Sequence, residues 1–81
     1  EQAVAAKPQS PSIQYSLGMA YGKAQRHEEA VQVLIKAIEI NPNYAEPYLA
    51  LGNAYTALGR REEAQKFLMV FQEFDVYRKE L

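Results

Sequence analysis

Two acidic pairs, Glu28-Glu29 and Glu62-Glu63, have the side chains that general acid–base chemistry uses. Such a pair acts on a substrate only if both carboxyls converge on it, and adjacent residues on a helix point about 100° apart. Their position just after a turn accounts for them in another way, because acidic groups in the first turn complement the helix dipole. His27 is the single histidine and the chain has no cysteine, so zinc chemistry lacks ligands and His27 reads as a surface or capping residue. Ser12 and Ser16 share a helix face, but no base is placed to activate either. The glycines stand singly, which rules out a phosphate-cradling loop. Arg60-Arg61 is a solvated basic pair beside a turn rather than a nucleic-acid contact. Residues Arg78-Lys79-Glu80-Leu81 depart from the tetrapeptide that retains proteins in the endoplasmic reticulum. No catalytic residue, cofactor or metal site is expected, and the chain does not read as an enzyme.

What remains is a scaffold, and the composition fits one. The 81 residues suffice for one small domain, and 48% apolar residues against 23% charged ones supply a core. Nine Lys and Arg against ten Asp and Glu leave no clustered basic excess, so a nucleic-acid partner is not expected. The apolar runs are only a few residues long, which excludes membrane insertion by a helix within this stretch. No secretory pattern opens it, and a cytoplasmic location is the expectation.

The elements that position these residues come in two copies. Displaced by 34 residues, Pro11–Tyr44 falls on Ala45–Arg78, matching Leu17 with Leu51, Gly18 with Gly52, Ala20 with Ala54 and Tyr21 with Tyr55. Arg26 meets Arg60, both acidic pairs coincide, and Ala30, Leu34 and Glu39 meet Ala64, Leu68 and Glu73. Ten of thirty-four positions agree where roughly two would by chance, so the organisation is a repeat. Each copy has helical spacing: Leu17, Tyr21 and Ala24 form one stripe, and Ala30, Leu34, Ala37 and Ile38 another. The connectors Gln25-Arg26-His27 and Gly59-Arg60-Arg61 permit only a tight antiparallel turn. Gly59 stands where a helix ends in a left-handed residue. Gln25 replaces that glycine in the first copy, which predicts a strained or differently closed turn costing about 1 kcal/mol. Asn41-Pro42-Asn43 ends the first copy, and Pro47 fits the first turn of the next helix.

These residues resemble the tetratricopeptide repeat, a 34-residue helix–turn–helix. The first copy supplies Leu17-Gly18, Tyr21, Ala30, Leu34, Ala37 and Pro42, with Gln14 where an early bulky residue belongs. The second supplies Tyr48, Leu51-Gly52, Tyr55, Ala64 and Leu68, then departs with Phe71 and Val76 in place of alanine and proline. Ala3 and Pro8 lie 34 residues before Ala37 and Pro42, so residues 1–10 read as the tail of a preceding repeat and its linker. The resemblance implies an all-α fold: a short right-handed solenoid of two hairpins, with a partial helix before them. Residues 11–44 form the first repeat and 45–81 the second, within a single domain. Leu17, Tyr21, Leu34 and their counterparts are expected to fill the space between helices and repeats.

Without a proline near Val76, the last helix has no stop from about Arg61 onward and extends about twenty residues, roughly 30 Å. Ala64, Phe67 or Leu68, Phe71 and Phe74 form one apolar stripe, and Val70, Phe74, Tyr77 and Leu81 a second. The second stripe would dock a further repeat, fold onto the groove, or pair with another copy as a homodimer.

Proteins of the resembled family bind extended peptides or helices of other proteins in a groove lined by each repeat's first helix. Here that face carries Ser12, Tyr15 or Ser16, Met19, and Gly22 or Lys23 in copy one, and Glu46, Leu49 or Ala50, Asn53, and Thr56 or Ala57 in copy two, spaced to share one side. Tyr15, Met19, Lys23, Leu49, Asn53 and Thr56 are the binding candidates. Asn53 has the donors and acceptor for an extended backbone, and Tyr15 offers rigid area with a polar tip. One subtype clamps a terminal carboxylate with lysine, arginine and asparagine. Tyr15, Met19 and Ala50 stand at three of those positions and only Lys23 is cationic, so no clamp is expected.

Overall fold

The computed structural model describes residues 10–80, with side chains of the last helix described through residue 74. They form four helices: α1 Pro11–Lys23, α2 His27–Ile40, α3 Glu46–Ala57 and α4 Arg61–Glu80. The partial helix expected before Pro11 lies outside the described residues. Pro11 and Pro47 occupy the opening turns of α1 and α3, where a missing N–H leaves no bond unmade. Among the described residues no helix is long and apolar enough to cross a membrane.

Both hairpins close in the same way. The Gln25 N–H reaches the Gly22 carbonyl at 3.0 Å and the Arg26 N–H reaches Tyr21 at 2.8 Å. Gly59 and Arg60 repeat this bond for bond, to Thr56 at 3.0 Å and Tyr55 at 2.9 Å. Gln25 therefore takes the left-handed conformation, φ +63°, that glycine takes at Gly59, φ +79°. Of the two expectations for this turn, strain holds and altered closure does not. Packing of α1 on α2 fixes the turn and the side chain bears the cost. Gln25→Gly is expected to stabilise the chain by about 0.5–1 kcal/mol, read as a rise in thermal midpoint. An unchanged midpoint would show that Gln25 has relieved its strain elsewhere.

Beyond each turn an arginine opens the next helix. Arg26 donates to Glu29 at 2.9 Å and lies 5.4 Å from the Tyr21 ring centre; Arg60 does the same to Glu63, at 2.9 Å, and to Tyr55, at 5.1 Å. The guanidinium hydrogen bond, followed by the backbone N–H, holds each of these two carboxyls below its usual range. These pairs are exposed and serve the turn, so Glu29 and Glu63 are turned toward their own arginines rather than toward a shared substrate position.

The Asn41-Pro42-Asn43 link folds on itself. The Asn41 side chain accepts the Asn43 N–H at 3.1 Å, and the Tyr48 hydroxyl donates to the Pro42 carbonyl at 3.0 Å. α2 packs on both α1 and α3, α4 packs on α3, and α1 reaches α3 directly. Ala30, Val31, Leu34, Leu51, Ala54, Tyr55 and Ala64 form the core cluster. The helices of each pair meet at a glycine. A β-carbon at Gly18 would lie 2.6 Å from Leu34 Cγ, and one at Gly52 would run into Leu68.

One expectation fails. Leu51 is fully buried, but its counterpart Leu17 is 41% exposed, and Ile13 and Ala20 beside it are exposed as well. Their equivalents Pro47 and Ala54 are buried, because α2 precedes α3 and covers that face. Among the described residues no helix does this for α1.

Candidate functional site

α1 and α3 lie side by side with α2 behind them, leaving a hollow of about 250 Å³ on one side. Ala30 and Leu34 of α2 form its floor, with Gly18 above Leu34. Met19, Gly22 and Lys23 line it from α1; Ala50, Asn53 and Ala54 line it from α3; His27, at the start of α2, closes one end. Small residues dominate the walls, so the backbones come close, and the floor residues Ala30 and Leu34 are themselves buried. Met19 adds a flexible, polarizable wall.

Of the six groove residues read from the sequence, Met19, Lys23 and Asn53 meet in this hollow. Tyr15 is half-buried beside it with its ring edge-on to Tyr44, at 5.6 Å and 63°. Burial, then the charge of Glu46 and the Tyr15 phenol, push the Tyr44 phenol above its usual range, so it keeps its proton at neutral pH. Leu49 is exposed on the same helix face as Asn53, away from the hollow's lining. Thr56 is also outside the lining, and its hydroxyl donates back to the Gly52 carbonyl at 2.8 Å. Its donor is spent on its own helix.

Gly22 and His27 line the hollow and were not among those six. His27 reads from sequence as a turn residue, and nothing in its spacing shows that the turn opens onto the groove. Gly22 falls outside the repeat pattern, which accounts for Gly18 alone. Helical spacing nonetheless places it on the groove face, as the alternative to Lys23, and it is a helical glycine that the pattern does not require.

The second apolar stripe is partly used within the chain. Phe74 tilts against Tyr48 with centroids 5.4 Å apart, and Phe67 lies between Tyr48 and Tyr55, at 6.2 and 5.6 Å. Val70 and Phe74 also border a shallow depression of about 310 Å³ with Asn43 and Glu73. The Tyr77 side chain and Leu81 lie outside the described residues. Among the described residues no group of three or more His, Asp or Glu is gathered as a metal would need.

A family model described as TPR repeat matches residues 21–59. The sequence is 30% identical over 70 residues, 86% of this chain, to the TPR repeat-containing thioredoxin TTL4 of Arabidopsis thaliana, of which it covers 10%. The crystal structure of MamA is similar at a TM-score of 0.87 and 28% identity, over 98% of this chain and 46% of that one. The chain spans a tenth of the first protein and under half of the second.

Proposed function

This chain belongs to the tetratricopeptide repeat family, and from that premise we propose that it binds an extended peptide or helix of another protein in the hollow between α1 and α3, without catalysis. The observation that carries this reading is the meeting of Met19, Lys23 and Asn53, from two helices, around a largely apolar hollow. Asn53 can donate to one backbone carbonyl and accept one N–H of an extended segment. Met19 and Lys23 adapt their long side chains to what lies between them.

The test is selection of displayed peptides on the full chain, followed by titration of the strongest binder. Met19→Asp and Asn53→Ala are each expected to weaken it about tenfold or more. Both sites are exposed, so the helical circular dichroism should not change. Binders that ignore both substitutions would end this reading.

Self-association is the second reading, supported by the depression at Val70 and Phe74. The contact of Phe74 with Tyr48 counts against it, since that ring is already half-covered. Light scattering over a concentration series separates the two, a persistent monomer removing the second.

A further inference from the structure

Gly22 is the one glycine of four that the fold does not call for. Gly59 needs its positive φ, and Gly18 and Gly52 have a leucine where a β-carbon would stand. At Gly22 the backbone is ordinary helix and a β-carbon would meet nothing within 4 Å. A helical glycine weakens the helix relative to alanine, so neither backbone nor packing explains it. What it does border is the hollow, at about 250 Å³ larger than the ~150 Å³ cavity that holds a benzene-sized group. Lys23 and His27 line the same space and, among the described residues, no carboxylate does.

We infer that the groove takes one bulky aliphatic or aromatic side chain of its partner, flanked by an acidic residue, and that Gly22 keeps that anchor pocket open. The inference rests on the groove reading above. The anchor enters past Gly22 and packs between Gly22 and Ala50, Met19 folds against it, and Lys23 pairs with the neighbouring carboxylate. The preference follows from the pocket's largely apolar lining and from Lys23, which no carboxylate joins in that lining among the described residues.

The probes are capped hexapeptides, acetyl-Ser-Gly-Leu-Glu-Gly-Ser-amide and versions with alanine for leucine or glutamine for glutamate. They are titrated into the full chain while backbone amide shifts are followed. The leucine–glutamate peptide is expected to shift the signals of Gly22, Lys23 and Asn53. The alanine version should bind about tenfold and the glutamine version about threefold more weakly. Gly22→Leu should fill the pocket and weaken the first peptide about tenfold with the thermal midpoint unchanged or raised, and Gly22→Ala should fall between. Equal binding of the leucine and alanine peptides, no shifts with any of them, or binding indifferent to Gly22→Leu would overturn the inference. If selected peptides still shift Tyr15 and Leu49 while Gly22→Leu has no effect, the anchor pocket fails and the groove stands.

Discussion

Leu51→Ala is expected to remove about 3 kcal/mol of stability, whereas Leu17→Ala, at the matching position one repeat earlier, should remove no more than about 1 kcal/mol. Leu51 is fully enclosed, with Val31, Leu34, Ala54 and Tyr55 in its cluster, so truncation leaves a cavity that rigid helix pairs cannot collapse into. Leu17 has 41% of its surface in water, so truncation there opens no closed space. A chain this short sits toward the lower end of the ~5–15 kcal/mol typical of domains, which makes the first loss a large share of the total. Urea unfolding followed by circular dichroism measures both, as shifts of the midpoint at constant slope. Equal losses would mean that something covers Leu17 as fully as α2 covers Leu51.

That contrast also marks what sequence can tell. Helical period, the Asn-Pro-Asn stop and the paired arginines and glutamates are local signals, and the four helices follow from them. Leu17 and Leu51 occupy the same motif position, yet burial depends on whether a neighbouring helix precedes, which no residue in the motif encodes. Gln25 shows tertiary packing overriding a local preference: the turn keeps its geometry and a non-glycine residue adopts it. In the groove, helical spacing puts Tyr15, Met19 and Lys23 on one side of α1, of which Met19 and Lys23 line the hollow. It cannot say that the hollow opens at the end of the helix holding Met19 and Lys23, because that depends on how α1 and α3 are set against each other. The wide apolar arc of α4 was legible too; Tyr48 beneath Phe74 was not, since that contact joins residues 26 apart.

The outer face of α4 carries the second large expected effect. On α2, Val31 belongs to the core cluster and Ile35 and Ile38 pack against it, forming the stripe that covers α3. The same three positions on α4 are Gln65, Met69 and Gln72, all exposed, with Met69 at 61%. Over these described positions the outer face of α4 lacks the apolar stripe with which α2 covers α3. Meanwhile, among the described residues, nothing covers Ile13, Leu17 and Ala20 of α1, a face with the shape that α2 fits on α3. The described faces of α1 and α4 thus mismatch, and the mismatch opposes head-to-tail contact between copies, because a heterologous contact that does not close would continue into filaments. Converting Gln65 to valine and Gln72 to isoleucine gives α4 the stripe of α2 apart from Met69. The doubly substituted chain is expected to associate head-to-tail, its apparent mass rising steadily with concentration in sedimentation velocity. Adding Leu17→Glu, which places a charge on the receiving face without touching the closed core, should return it to the mass of the original chain. If the double variant does not gain mass, or if Leu17→Glu fails to reverse the gain, then the two glutamines are not what keeps these ends apart.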